Sequence, residues 1–446
     1  IELQGRDFFF AKQKHKKKKQ KENEHNMKIV QLLLAVIVIK QCFGVEIPLD
    51  QDHGLEVSFL DIFRSVRDIA TGLVQSQGNQ LTADYFFRYT TNAVLAFPSL
   101  VTVAVVSALC AAVLREDAVQ PRPENIPDVE DIAIQLRTPC NIRAYPVREL
   151  IRIVDDPDFD INKKVVIASS GWLTNANRSN DVLQGIGKAY HCRNDTNFLG
   201  IDVGRYIQTL YTWSSLNTNR IGEILAIALV DFVKVVPLEN IHLMGHSLGA
   251  QIVGTTARHF TRLTGKQIPR VTGFDPAGPC FDYGQKQTTL SASDAAFVDI
   301  IHSNTGVAGQ SEPTAHADFF VNGRFPIQNG CNDSVCSHQR SWQYYMESVY
   351  PGNEYNFLAK RCTSLLRLDK GSCVGDEYPM GFATPLGLQG LFVLKVNPTE
   401  PYGMNATENY TSPNSLCGTC VHAVQSFKHH LLDKLCGSSR NISSLS

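Results

Sequence analysis

Short runs rich in β-branched residues alternate with helical stretches through the middle of the chain, and this alternation constrains the fold more than any other feature. It is typical of α/β proteins with a mainly parallel sheet, because a crossover helix must carry the chain back to start each parallel strand. In such folds the functional groups lie at the carboxyl ends of the strands. The predicted strands are residues 164–168, 241–244, 270–274 and 297–301, and the predicted helices are 221–236 and 250–260.

The pentapeptide Gly245-His246-Ser247-Leu248-Gly249 lies between a predicted strand and a predicted helix. A G-x-S-x-G sequence in this position is typical of a tight, strained turn that lifts a serine hydroxyl clear of the sheet. The glycines Gly245 and Gly249 are needed because side chains there would collide with neighbouring backbone. We therefore interpret Ser247 as a nucleophile. The alternative is a glycine-rich helix start with serine as its cap.

A serine hydroxyl is a weak nucleophile unless a base takes its proton and a carboxylate orients that base. Asp275 follows a predicted strand and fits the place of the carboxylate, although an Asp-Pro sequence is also a common turn. His316 fits the place of the base downstream. His302 fits it equally well on spacing, so the sequence chemistry alone leaves two histidines open.

Several blocks of the chain, in order, resemble the pancreatic-lipase family over about residues 136–403. They are residues 241–250, 273–281, 293–302, 316–323 and the block that starts at Cys336-Ser337-His338-Gln339-Arg340-Ser341 and runs to Tyr345. The resemblance implies an α/β-hydrolase fold, with a mainly parallel central sheet flanked by helices. It also implies that Ser247 is the nucleophile, Asp275 the acid and His316 the base, with His302 outside the triad.

The same resemblance implies two backbone N–H donors for the oxyanion of an acyl-transfer intermediate, at Leu248 and at Trp172. The family usually has His-Gly-aromatic at the second position, where this chain has Ser170-Gly171-Trp172. Since only the backbone N–H is needed, we expect the change to spare activity.

Loop lengths differ from those of the long-lidded triacylglycerol lipases of this family. By resemblance, Cys331 and Cys336 form the lid disulfide, and they enclose only residues 332–335. The short loops are similar to those of the phospholipase A(1) branch of the family, and this similarity implies an open site. We therefore predict phospholipid as the first substrate and triacylglycerol as the second. Cys362 and Cys373 match a structural disulfide of the family.

We expect no metal, no cofactor and no colipase-like partner. Residues 286–294 match a calcium site of some relatives, but Lys286, Thr289 and Ser291 replace its ligands and Asp294 alone stays. Only residues 404–446 follow the catalytic region, too few for the family's C-terminal β-sandwich. Cys417 and Cys420 in this Cys-containing tail form a C-x-x-C, interpreted as structural disulfide rather than a redox or zinc site.

The first part of the chain indicates secretion. Residues 1–26 are expected to be leader sequence, and residues 27–44 are typical of a signal peptide. The chain has 12 Cys, and the 11 that would follow such a signal suit an oxidising compartment and leave at least one thiol free or paired between molecules. Six sequons agree with a glycoprotein; they are at Asn177, Asn194, Asn332, Asn405, Asn409 and Asn441.

Residues 45–135 are predicted to be a pro-like or accessory helical region. Within it, Ala93–Leu114 is an uncharged run of bilayer-spanning length, so a membrane-tethered esterase is an alternative. The net charge of -1 gives no case for nucleic acid as a partner. The sequence therefore predicts a secreted serine lipase acting on lipid esters at a membrane or lipoprotein surface. The main alternative is a non-catalytic lipid-binding or yolk-like storage protein on the same scaffold.

Overall fold

The computed structural model describes residues 126–174, 176, 181–208, 211–281 and 287–420. The predicted signal peptide, the run Ala93–Leu114 and most of the accessory region lie outside these residues. In the described part of the chain, every helix is too short or too polar to cross a bilayer.

The described strands form one sheet of eleven, in the order β10-β9-β11-β8-β7-β6-β5-β3-β4-β1-β2. From β4 to β11 every neighbouring pair in this order is parallel, and antiparallel strands continue the sheet on both sides. The prediction of an α/β fold with a mainly parallel sheet is confirmed. The strands are β1 (Ala133–Arg137), β2 (Ile142–Pro146), β3 (Lys164–Ser169), β4 (Thr196–Asp202), β5 (Ile241–His246), β6 (Arg270–Phe274), β7 (Val298–His302), β8 (Ala317–Val321), β9 (Leu358–Cys362), β10 (Glu377–Pro379) and β11 (Gly390–Leu394).

Helices cover both faces of the sheet. The α-helices of the described residues are α1 (Asp181–Arg193), α2 (Tyr211–Phe232), α3 (Leu248–Thr264), α4 (Ser334–Val349) and the short α5 (Leu365–Asp369). Short 3₁₀ helices lie at Val129–Asp131, Val147–Asp155, Gly204–Ile207, Leu238–Asn240 and Ala292–Asp294.

Alternate residues of the central strands enter two separate cores, as the period of two in a strand requires. In β3, Val165 and Ile167 pack with the apolar residues of α2 and α3 on one face. Val166 and Ala168 pack with α1 and α4 on the other. Each fully buried aliphatic side chain of this kind contributes about 1.5–3 kcal/mol to folding. The sheet is therefore held as the middle layer of three.

Helix α2 begins ten residues earlier than predicted and ends at Phe232, before the predicted Val236. Its first half buries small polar side chains, including Ser214, Ser215 and Thr218. Thr218 satisfies its hydroxyl by donating to the carbonyl of Ser215. The apolar periodicity that predicts a buried helix is consequently missing there, although the helix is present.

The tail is tied to the sheet layer by covalent and polar contacts. Cys420 is bonded to Cys140, and Cys417 is bonded to Cys192 of α1. The Lys188 ammonium, also on α1, donates to the carbonyls of two tail residues, Pro413 and Ser415. The two cysteines of the C-x-x-C therefore have separate disulfide partners and are not bonded to each other.

Candidate active site

Ser247 is the single residue between strand β5 and helix α3. Its φ of 57° and ψ of -123° are strained values for a side-chain-bearing residue. A Cβ at Gly245 would lie 2.3 Å from the Gly249 carbonyl, and one at Gly249 would lie 2.5 Å from the carbonyl oxygens of Ser169 and Ser170. Both positions accept only glycine, and the turn they permit puts Ser247 at the carboxyl edge of the sheet.

Asp275 follows β6 at the same edge and is fully buried. Its Oδ1 accepts backbone N–H bonds from Ser303 at 2.9 Å and Asn304 at 3.1 Å, and its Oδ2 accepts from Nδ1 of His338 at 2.6 Å. A carboxylate with this many donors is fixed in orientation. It is placed to orient an imidazole.

That imidazole belongs to His338, in the first turns of α4. Because its Nδ1–H donates a hydrogen bond to Asp275, Nε2 is the nitrogen that can take a proton. The ring packs at a tilt against His246, with 4.4 Å between the ring centroids, and His246 directly precedes Ser247. The His338 side chain keeps 13% of its surface exposed, so solvent and substrate can reach it.

The prediction of His316 as the base is wrong. His316 immediately precedes β8 and therefore lies at the amino edge of the parallel strands, opposite the edge that carries Asp275. Its Nδ1 accepts the backbone N–H of Val298 at 3.1 Å, and its ring stacks on Phe297 with 5.9 Å between centroids. The ring has a local structural role.

His302 does lie at the carboxyl end of β7, but the hydrogen bonds to the Asp275 carboxylate come from Ser303, Asn304 and His338. Its Nε2 bonds to Asp318 at 2.9 Å, and its ring stacks on Phe320 with centroids 4.2 Å apart. Sequence reasoning did not name His338 as a candidate base. The signal that could have found it is the block Cys336–Ser341, which contains a histidine directly after the short disulfide loop.

The loop after β3 lies against the serine. A Cβ at Gly171 would be 2.8 Å from the Cβ of Ser247, which brings the backbone of the neighbouring Trp172 next to the serine turn. The Ser170 hydroxyl bonds to that of Thr174 at 2.8 Å and braces this loop where the family usually has histidine. Leu248 is the first residue of α3, so its N–H has no acceptor within the helix.

A small apolar cluster lies beside the nucleophile turn. The Trp172 and Tyr211 rings meet edge to face, with centroids 5.1 Å apart, and the Tyr211 hydroxyl donates to the Pro279 carbonyl at 2.8 Å. An acyl chain could pack here without burying polar groups. The buried members are Leu248, Ala277, Cys280 and Phe281.

The short loop before α4 is part of the helix start. Cys331 and Cys336 are disulfide-bonded, and the Asp333 side chain caps α4 by accepting the Cys336 N–H at 2.7 Å. Cys362 and Cys373 are also bonded to each other. The Cys331–Cys336 loop therefore holds the helix that carries His338 and has no length left for an amphipathic lid helix.

In the stretch that matches a calcium site, the carboxylate of Asp294 pairs with the guanidinium of an arginine side chain. Both oxygens of the fully buried Asp294 accept from the Arg258 guanidinium, at 2.8 and 3.0 Å. The Ser291 N–H donates to the same carboxylate at 2.9 Å, and Ser291 with Asp294 forms a capping box. Among the residues described, no three His, Cys, Asp or Glu side chains cluster in a way that could hold a metal ion.

Comparison with known proteins agrees with this geometry. The family model named Lipase matches residues 110–384, which is more than half of the chain. The chain belongs to the Lipase family.

Similar members of the family carry different names. Vitellogenin-1 of Ceratitis capitata is 34% identical over 212 residues, 47% of this chain and 48% of that protein. Lipoprotein lipase of Mus musculus is 32% identical over 269 residues, 54% of this chain and 55% of that protein. The chain thus spans about half the length of the curated relatives it matches. One solved α/β hydrolase, from a deep-sea metagenome library, is 14% identical to the chain with a TM-score of 0.25, over 34% of this chain and 61% of that one.

Proposed function

We propose that this Lipase-family protein hydrolyses carboxylic esters of lipids through an acyl-enzyme. The observation that carries the proposal is the 2.6 Å hydrogen bond that His338 donates to Asp275, together with the packing of the His338 ring on His246, the residue preceding Ser247. A strained serine, an oriented imidazole and a buried carboxylate are what nucleophilic acyl transfer needs.

In this mechanism the Ser247 hydroxyl oxygen attacks the ester carbonyl while His338 Nε2 takes its proton. Asp275 stabilises the imidazolium, and the N–H groups of Leu248 and Trp172 stabilise the oxyanion. The imidazolium then protonates the leaving alcohol as the C–O bond breaks. Finally His338 deprotonates a water molecule, which attacks the acyl-serine, and the fatty acid leaves as Ser247 recovers its proton.

Phospholipid is the proposed first substrate and triacylglycerol the second. The four-residue loop between Cys331 and Cys336 supports this order, because it leaves the polar headgroup of a phospholipid in water while one acyl chain enters. The apolar cluster of Trp172 and Tyr211 offers a surface for that chain. The partner of the protein is accordingly a lipid surface at a membrane or lipoprotein, with no colipase-like protein and no cofactor.

A non-catalytic, yolk-like function is the second candidate, favoured by the 34% identity to a vitellogenin. Against it, Ser247, Asp275 and His338 are all present, with the carboxylate already bonded to the imidazole. A storage protein has no need of a strained serine turn. We therefore rank catalysis first.

Secretion belongs to the same proposal. All nine cysteines in the described part of the chain are disulfide-bonded. Disulfides at this density persist in oxidising compartments and are rare in the cytosol. An extracellular enzyme would meet its lipid at an external surface.

The deciding experiment measures fatty-acid release from phosphatidylcholine vesicles and from triolein emulsion. Wild type is compared with Ser247→Ala and with Ser293→Ala, an exposed serine outside the site. We expect release by wild type and Ser293→Ala, none by Ser247→Ala, and faster release from phosphatidylcholine. If none of the three proteins releases fatty acid from either lipid, the yolk-like function is favoured. Faster release from triolein than from phosphatidylcholine would overturn the substrate order.

A further inference from the structure

His246, the second residue of the pentapeptide, has a side chain that contacts two other parts of the site. Its Nε2 lies 3.1 Å from the backbone carbonyl oxygen of His338. A carbonyl oxygen only accepts hydrogen bonds, so Nε2 must carry the proton and donate. The ring of His246 also packs against the ring of His338, with 4.4 Å between centroids. His246 thus holds both the backbone and the imidazole of the base.

The opposite nitrogen of His246 faces the loop that precedes Trp172. A Cβ built on Gly171 would lie 3.4 Å from Nδ1 and 3.2 Å from the His246 carbonyl oxygen. One ring therefore fills the space between the helix that carries the base and the loop that carries an oxyanion donor. These two elements are more than 160 residues apart in the sequence.

The ring of His246 stays neutral while His338 takes and gives up a proton. His246 is buried, and burial, with a smaller contribution from the neighbouring His338, holds the pKa of His246 well below its ordinary value. The titratable group packed against it is His338, with Asp275 behind that ring. A neutral His246 can keep donating to the carbonyl without repelling the imidazolium that forms on His338.

We infer that His246 is a positioning residue, which sets the distance and angle between the His338 ring and Ser247 by hydrogen-bonding the His338 backbone and packing on its ring. This inference rests on the proposed function. Its physical reason is that a small displacement of a catalytic group strongly lowers the rate of the chemical step while leaving substrate binding intact. The Ser341 hydroxyl donates to the same carbonyl at 3.0 Å, so the backbone has a second support.

The test uses two substitutions of His246 and one matched control. In His246→Gln the amide can replace the Nε2 donor, whereas in His246→Leu the donor is lost at similar volume. The control is His242→Leu, which removes a histidine from the same strand, four residues away, where it bonds to the Thr272 hydroxyl. Hydrolysis of p-nitrophenyl butyrate gives kcat and KM separately, and thermal unfolding checks that each variant is folded.

For His246→Leu we expect kcat to fall by about 10- to 100-fold with KM unchanged. His246→Gln should recover most of kcat, and His242→Leu should keep the wild-type kcat. Wild-type kcat in His246→Leu, or an equal loss in the Gln and Leu variants, would overturn the inference while leaving the proposed function intact. Wild type no faster than Ser247→Ala would instead overturn the proposed function, and the inference with it.

Discussion

The Nδ1 atom of His338 lies 2.6 Å from Oδ2 of Asp275, although 63 residues separate them in the sequence. The bond joins the start of helix α4 to the end of strand β6. Of the three hydrogen bonds that Asp275 accepts, one comes from His338 and none comes from His316 or His302, the two histidines that the sequence leaves open.

The first prediction compares His338 with His316. His338→Ala should lower kcat for p-nitrophenyl butyrate by about 10⁴-fold or more, because it removes the proton acceptor for Ser247. His316→Ala should keep the wild-type kcat and lose about 1 kcal/mol of stability, because Val298 N–H loses its acceptor. The reverse ranking of the two variants would restore His316 as the base.

The second prediction concerns Gly309. A Cβ at this position would lie 2.3 Å from Oδ1 of Asp275, so Gly309→Ala must displace the carboxylate that orients His338. We expect a large fall in kcat, with unfolding still cooperative. The matched control is Gly306→Asn on the same loop, where φ is 75° and the nearest atom to a Cβ is 3.9 Å away. If both variants retain full activity, the Asp275 carboxylate does not need its observed orientation.

The third prediction is that chelation leaves the protein unchanged. Asp294 already has both oxygens bonded to Arg258, so EDTA should alter neither the unfolding midpoint nor ester hydrolysis. Arg258→Gln should cost about 3–5 kcal/mol, because a buried carboxylate loses its cation. Arg262→Gln, an exposed position on the same helix, should be nearly neutral. A fall in the unfolding midpoint of wild type in EDTA, restored by calcium, would contradict this account.

The fourth prediction is a loss of stability in acid. The Asp156 carboxylate accepts from Arg143 and from the Tyr145 hydroxyl, and the Arg143 hydrogen bond is the main cause that lowers the pKa of Asp156 from 3.8 to about 2. A group with a depressed pKa in the folded state stabilises the fold fully above its unfolded pKa. This stabilisation should therefore disappear as the pH falls from about 4 to about 2.

Urea unfolding at several pH values measures this effect. The free energy of unfolding of wild type should fall more steeply between pH 4 and 2 than that of Asp156→Asn, which has no carboxyl group to titrate there. Parallel curves for the two proteins would show that Asp156 has the same pKa in the folded and unfolded chain.

The order of strands and helices around Ser247 could be predicted from the sequence because it depends on local patterns. Strands 164–168, 241–244 and 270–274 agree with β3, β5 and β6, because β-branched runs of this length fit a buried parallel strand. The turn at Ser247 could be predicted because two glycines, Gly245 and Gly249, permit a backbone that other residues forbid. The first half of α2 could not be predicted, because its buried side chains are polar and give no apolar periodicity.

The sequence by itself determined the candidate nucleophile and the candidate carboxylate, because the neighbours of each residue place it at the end of a strand. Only the tertiary structure decided the candidate base. His316 and His338 both follow Asp275 in the chain, and nothing local tells which edge of the sheet each one reaches. The parallel direction of β8 puts His316 at the amino edge, whereas α4 places His338 at the carboxyl edge, where its Nδ1–H donates a hydrogen bond to Asp275. Distances between groups so far apart in sequence are set by packing, which no local pattern encodes.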